Sequence, residues 1–445
     1  MDAYNADVRE ACKYGSKCYQ TNPAHTDRFK HPPKTEVEEQ KENRDSNKRA
    51  LSEDSPPPVN KKTKRASQEK VVSSGVVDEK QEVEEEKEAE EEKEAEEEKE
   101  AEVKEKEEVK EYSDILPASP ENIHENMKQK FLMDLPRDFY QFFEFCKGLN
   151  KDDPCSALAG AGLKLCGPYH LLAGKIPKDC VRSSSLYLRH YRYYYDPPEF
   201  QTVIASAEPD PALFHIGYFR DSPKEAPVFL ASNCAGEGPK IIPLADNIFG
   251  AVYQHLAKKM SEADPFTRTR LGQLQEKIKL FANRSIINGD ANEISLEGKT
   301  ACMKLRDRRK VCQTFHGAGL VVPYNKDTEV GYREIPETAA SLKKIFKKVV
   351  EAESEEERNK ALDVVQELVT NVQFANDEGD PGMGLELGLN AFAFGGSELH
   401  TIIKHLLCVG YELLDRDEFG TILQAHLENR VKGPDVDMFN VTNTN

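Results

Sequence analysis

Apolar residues recur with two different periods in the last three-quarters of the chain, and they nearly vanish between residues 34 and 115. Phe139, Phe142, Phe143 and Cys146 fall at i, i+3, i+4 and i+7, the stripe of a helix that buries one face. Leu186–Tyr195, Phe200–Ala205, Phe214–Phe219 and Val228–Ala231 are short, rich in aromatic and β-branched residues and bounded by turn formers, so they predict strands. Ile248–Lys259 returns to a helical pattern. Leu342, Ile345, Phe346, Val349 and Val350 make a second helical stripe. Ser354 followed by Glu357 is a capping box that opens the next helix, whose buried face is Ala361, Val365, Leu368 and Val372. A further helix is predicted over Leu399–Leu414. The fold class expected is α+β. A stretch of 325 residues, 116–440, is long for one core, so two packed lobes are expected, 116–262 and 263–440.

Composition divides the chain further. The net charge is −18, and residues 78–111 alone hold 20 acids and 7 bases, which leaves only −5 for everything else. The acidity is a local tract, with Lys87, Lys93 and Lys99 repeating every six residues and no apolar seam. Residues 34–115 are poor in aromatics and rich in Glu, Lys, Ser and Pro, and are read as a disordered linker. In it, Lys48-Arg49 and Lys61-Lys62-Thr63-Lys64-Arg65 have the form of a two-part nuclear import signal. A solvated spacer and a binder of basic histone tails are both open readings of the acidic repeat. No apolar run approaches the length of a membrane span, and no basic, apolar leader opens the sequence, so no membrane partner is expected. Eight cysteines (146, 155, 166, 180, 234, 302, 312 and 408) are scattered without paired spacing and read as reduced thiols of an intracellular protein.

The other two cysteines have company. Cys12, Cys18, His25 and His31 supply two thiolates and two imidazoles within residues 1–33. Such a set fills a tetrahedral zinc shell and leaves no open position, which makes a structural site. So short a segment buries too little surface to fold alone, and the metal supplies the missing stability. The spacing, with Arg9, Tyr14-Gly15, Cys18-Tyr19, Asn22-Pro23 and Phe29-x-His31-Pro32, resembles the poly(ADP-ribose)-binding zinc finger. That resemblance implies polymer binding through Arg9, Tyr14 and Tyr19. Gln20 stands where the finger family has a basic residue, which implies weaker binding. No sequence-specific DNA binding is expected.

One constellation in the second lobe has the makings of chemistry. The Ser354 helix runs into Asn376-Asp377-Glu378-Gly379, and Gly379 suits the left-handed position after a helix end. Asp377 and Glu378 then sit at the negative end of the helix dipole, each unfavourable by about 0.3–1 kcal/mol. Two solvated loop acids and a binding or general-base site both fit this pattern. Arg333, in Gly331-Tyr332-Arg333-Glu334 after a predicted apolar strand Leu320-Val321-Val322, is the natural partner for a carboxylate, either at a site or in an ordinary salt bridge. His316, in Phe315-His316-Gly317, reads as a satisfied structural histidine. The sequence holds no Gly-x-Gly-x-x-Gly, no phosphate-loop pattern and no Gly-x-Ser-x-Gly elbow.

At these residues a second resemblance appears. Leu135-Pro136-x-Asp138-Phe139-Tyr140, Tyr194 through Thr202, Gly217 through Pro223, Phe315 through Pro323, Gly331-Tyr332-Arg333-Glu334, Val372 through Glu378 and Gly382 through Gly388 together resemble the histone PARylation factors over residues 122–440. The added finger and acidic spacer resemble the architecture of an insect member. The resemblance implies a nuclear factor, at chromosomal damage sites, that docks on DNA-damage-activated poly(ADP-ribose) polymerases and is no enzyme alone. It implies that the polymerase binds NAD⁺ and that Glu378 is the general base for serine ADP-ribosylation of histones. Asp377, Arg333 and Tyr332 are implied interface and support residues, with Glu329 in place of a family aspartate. A chromatin adaptor that reads polymer without catalysing anything is the alternative, and a free-standing hydrolase using Asp377 and Glu378 is a third reading.

Overall fold

The computed structural model describes residues 10–11, 29–30, 115–176, 183–287 and 294–440, in two compact units, 1–88 and 89–445. In the first unit, β1 (Glu10–Ala11) pairs in parallel with β2 (Phe29–Lys30), in the register Glu10↔Phe29 and Ala11↔Lys30. The expected finger residues Arg9, Cys12, Tyr14, Cys18, Tyr19, His25 and His31 lie outside the described residues. So do the import motif and the acidic repeat of the linker.

The second unit begins with α1 (Ile123–Phe131) and α2 (Arg137–Leu149). Asn122 starts α1 by accepting the His124 amide at 2.9 Å. The predicted stripe of α2 is buried in full: Phe139, Phe142, Phe143 and Cys146 all face the core. A five-stranded antiparallel sheet follows, in sequence order: β3 (Leu163–Leu165), β4 (Phe200–Ser206), β5 (Phe214–Phe219), β6 (Phe229–Cys234) and β7 (Ile242–Ala245). Successive side chains point to opposite faces. Val203, Tyr218 and Leu230 meet Phe139 and the helix α5 (Ile248–Glu262) on one side. Phe200, Phe219, Phe229 and Ala231 meet Met303 and Ala318 on the other. Both faces are therefore covered, which is why these strands read as continuous apolar runs.

Three expectations are corrected. Leu186–Tyr195 is not a strand. Two short helices, α3 (Pro168–Leu172) and α4 (Ser184–Arg189), fill the β3–β4 connection. Beyond α4 the buried Arg192 guanidinium donates to the carbonyls of Leu188, Pro197 and Phe200 at 2.8–3.0 Å, which wraps the chain around one cation. Aromatic strand propensity yields to that tertiary cluster. Leu320-Val321-Val322 forms no strand either, only a Cys312↔Leu320 bridge. Nor does the first lobe end at 262: α6 (Pro265–Ile287) packs on α5 and places Leu271 and Ile278 in the first core. Residues 434–440 also return to that lobe, where the Tyr191 amide donates to the Val436 carbonyl at 2.7 Å and Phe439 lies 4.9 Å from the Tyr187 ring.

After α7 (Ala301–Arg309) the second core is helical, built from α8 (Ala339–Val350), α9 (Glu355–Asp377), α10 (Gly382–Phe394), α11 (His400–Leu413) and α12 (Asp417–Glu428). Buried polar contacts join the two lobes. Arg306 of α7 holds Asp221 with three contacts of 2.7–3.1 Å. Tyr411 donates to Glu199 at 2.8 Å. Arg430 lies between the rings of Tyr194 and Phe392, 4.0 and 3.7 Å from their centroids. Together these elements make the α+β class expected.

Candidate functional site

The site is built on the turn between α9 and α10. Ser354 caps the start of α9 by accepting the Glu357 amide at 3.2 Å, as the capping box predicts. At the other end Asp377 is the last helical residue, Glu378 is the C-cap, and Gly379 takes φ +90°. The Asp380 amide reaches back to the Ala375 carbonyl at 2.8 Å and closes the turn. The chain cannot continue as one helix here, so Glu378 is left projecting at a corner with its carboxylate 60% exposed.

A loop from the other side of the lobe docks on this corner. The Gly331 amide donates to Asp380 Oδ1 at 2.8 Å, and the Gly382 amide donates to the Gly331 carbonyl at 3.1 Å. The approach is close enough that a Cβ on Gly331 would meet the Pro323 carbonyl oxygen at 2.0 Å, and its φ is +115°. Only glycine fits. The docking delivers Tyr332 and Arg333. Arg333 Nη2 lies 3.1 Å from Asp380 Oδ2 and also pairs with Glu378 Oε2. Tyr332 donates its hydroxyl to Glu386 Oε2 on α10 at 2.9 Å.

Electrostatics follow from these contacts. The hydrogen bond to Glu378 raises the Arg333 pKa above its ordinary value. Burial raises the Glu386 carboxyl, and hydrogen bonds from Tyr332 and Cys312 work against it. Burial, chiefly, also pushes up Tyr332. Glu378, Arg333, Tyr332 and Glu329 line one cleft of about 1050 Å³, together with Arg308, Arg309 and Lys326. Glu329 takes a left-handed φ of +56°, rare for a residue with a Cβ. Asp377 is exposed on the last turn of α9 and is not among the residues that line the cleft. His316 is buried beside Thr314, its ring nitrogen 2.9 Å from the hydroxyl, and burial lowers it to about 3. It is a structural residue, as its sequence context implies.

Sequence reasoning missed two residues that organise this site, Asp380 and Glu386. Asp380 was visible as the second acid of the Glu378-Gly379-Asp380 run. Glu386 was visible as the one charge within the largely apolar Gly382–Phe394.

A model of the histone PARylation factor 1 family matches residues 122–430, which take in the helical core and the site built on it. The chain belongs to the histone PARylation factor 1 family. Among its relatives in that family, histone PARylation factor 1 of Bos taurus is 46% identical over 314 residues, 70% of this chain and 88% of that one. Histone PARylation factor 1 of Mus musculus is 44% identical over 311 residues, 69% and 87% of the two chains. A putative histone PARylation factor 1-like protein of Homo sapiens is 42% identical over 322 residues, 72% and 89%. Residues 9–34 match a separate model, the PBZ domain of CCHH zinc-finger type, which takes in Cys12, Cys18, His25 and His31. This family member thus joins a PBZ zinc finger to the histone PARylation factor 1 region.

Proposed function

We propose that this family member is a nuclear accessory factor that lends a general base to a DNA-damage-activated poly(ADP-ribose) polymerase and so directs ADP-ribose onto serine of histones. The observation that carries the reading is the exposed Glu378 carboxylate, held at the mouth of a cleft by Arg333. A serine hydroxyl is a poor nucleophile near neutral pH and needs a base within hydrogen-bond reach. In the joint site the partner binds NAD⁺. Glu378 accepts the hydroxyl proton as the serine oxygen attacks the ribose C1 and nicotinamide leaves. Alone the factor has no ADP-ribose donor to act on, so it is not an enzyme by itself. Val330 and Leu413, each about half exposed, share a neighbouring groove with Tyr324 and Gly379, an apolar surface that a partner can cover beside the base.

Asp377, on the exposed last turn, is assigned to the partner interface, with Arg333, Tyr332 and Glu329 as support. The direct test is reconstitution with polymerase, damaged DNA, NAD⁺ and a histone peptide. Wild-type factor should give serine-linked product and Glu378→Ala should not. Serine modification by Glu378→Ala at the wild-type rate would exclude the base role.

The PBZ match favours a second, compatible activity: the finger reads poly(ADP-ribose) through Arg9, Tyr14 and Tyr19. The β1–β2 register joins the residues that immediately precede Cys12 and His31 in sequence, which suits a shared metal shell. Cys12, Cys18, His25 and His31 would hold Zn²⁺, and the metal would supply folding energy, not chemistry. If the factor were only such an adaptor, Glu378→Ala would leave product chemistry unchanged and finger variants would remove recruitment.

A further inference from the structure

Glu386 is a carboxylate in an unusual place. It is the single ionisable residue of α10, and eleven of the thirteen residues of that helix are buried. An acid in such a helix loses hydration, and it persists when hydrogen bonds compensate. Two do: the Tyr332 hydroxyl at 2.9 Å and the Cys312 thiol. The second polar residue of α10, Asn390, has a comparable task, since its Oδ1 accepts the Phe315 amide at 2.8 Å. Each polar group of this helix ties down a loop that carries no regular structure of its own.

The loop held by Glu386 is the one that presents Arg333. Its attachments form a short series: the Gly331 amide to Asp380, the Gly331 carbonyl to the Gly382 amide, the Tyr332 hydroxyl to Glu386, and the Arg333 guanidinium to Asp380 and Glu378. The first two fix the backbone at residue 331. Between that point and the guanidinium, the Tyr332 side chain anchors the loop, its ring against the second core and its hydroxyl to Glu386 and the Cys312 thiol. Arg333 and Glu378 are both about half exposed, and surface pairs of this kind hold their own geometry poorly.

We infer that Glu386 is a positioning residue for the candidate base: through Tyr332 it sets the loop that carries Arg333, and Arg333 in turn aims the Glu378 carboxylate. This rests on the proposed base role of Glu378. A base displaced by a fraction of an ångström from the acceptor hydroxyl loses much of its effect, so a residue that never touches substrate can control turnover.

The experiment uses the full chain with polymerase, damaged DNA, NAD⁺ and a serine peptide, at saturating factor, so that docking affinity does not enter the rate. Glu386→Leu should lower turnover roughly tenfold or more. Glu386→Gln keeps an acceptor for the Tyr332 hydroxyl and should retain at least half of wild-type turnover. Tyr332→Phe should match Glu386→Leu, and the double variant should be no worse than either single one, because both remove the same bond. Thermal melting identifies any variant that fails to fold; the Glu386→Gln and Tyr332→Phe comparison then still decides. A folded Glu386→Leu with wild-type turnover overturns the inference. So does Glu386→Gln as impaired as Glu386→Leu, or losses that multiply in the double variant. Glu378→Ala is run alongside. If it retains turnover, the base reading itself has failed; if it abolishes turnover while Glu386→Leu does not lower it, only the positioning role is lost.

Discussion

Asp380 Oδ2 and Arg333 Nη2 lie 3.1 Å apart, the carboxylate 6% exposed and the guanidinium 46%. This contact divides the labour at the site. Asp380 is the acid that needs Arg333, because a buried carboxylate without a partner is costly. Glu378 shares the same guanidinium but remains in water. A partner surface can therefore draw Glu378 away from Arg333 without stranding a buried charge, since Asp380 stays to hold it.

That asymmetry predicts opposite phenotypes for two neighbouring acids. Glu378→Ala should change stability by no more than about 0.5 kcal/mol and abolish serine transfer. Asp380→Ala should cost about 1–3 kcal/mol, because it strands the Gly331 amide and frees the loop. Urea unfolding of the two variants, compared with their transfer rates, checks both halves. Equal stability losses would remove the distinction.

Arg306 and Asp221 are predicted to be a stability hinge between the lobes. The guanidinium also donates to the Ala318 and Gly319 carbonyls and lies 5.1 Å from the ring centroids of Phe219 and Phe229. Asp221→Ala leaves that cation buried without its counter-ion and should destabilise by about 3–5 kcal/mol. Denaturant midpoints measure it; a loss under about 1 kcal/mol would mean that the carbonyls and rings suffice.

Stability should also fall as acid is added. Burial lowers His316 from 6.5 to about 3 and His255 from 6.5 to about 4. Their unfolded forms take up protons first, so the contribution of each is fully present above pH 6.5 and is lost as pH falls toward its folded value. Each contributes a slope of about 1.4 kcal/mol per pH unit in that window. His316→Gln should therefore show a shallower dependence than wild type between about pH 6 and about pH 4. Parallel curves would show that His316 does not exchange a proton on unfolding.

For the finger, chelation or Cys12→Ala should remove poly(ADP-ribose) binding and leave the melting of the 122–430 region unchanged, since the chain divides into separate units at residue 88. Gln20→Arg should tighten polymer binding and steepen its salt dependence. Titration with defined-length polymer at two salt concentrations reads both. A chelated finger that still binds would overturn the zinc assignment.

The sequence is most legible where one period dominates. The α2 stripe, strands β4 to β6, α5, α8 and the Ser354 cap can all be read in advance, because local pattern and tertiary burial agree there. So can the helix end at Glu378, since Gly379 marks it. Leu186–Tyr195 misleads because seven aromatic or aliphatic residues look like a strand until Arg192 gathers the surrounding carbonyls. The α6 and α7 helices are weakly patterned: α7 runs Ala-Cys-Met-Lys-Leu-Arg-Asp-Arg-Arg and buries little beyond Met303 and Arg306. Asp380 and Glu386 escape for another reason. Their significance lies in contacts to Gly331 and Tyr332, 49 and 54 residues away, which no local pattern encodes.

Val436 and Phe439 close the packing of a lobe whose described residues begin at 115. That lobe therefore keeps an open seam until residues 434–440 return to it, although its sheet is complete by Ala245. The helical lobe with Glu378 and Arg333 is threaded between the two ends of its neighbour. A chain cut at residue 430 keeps every residue of the site and loses the strap across Tyr187, His190 and Tyr191.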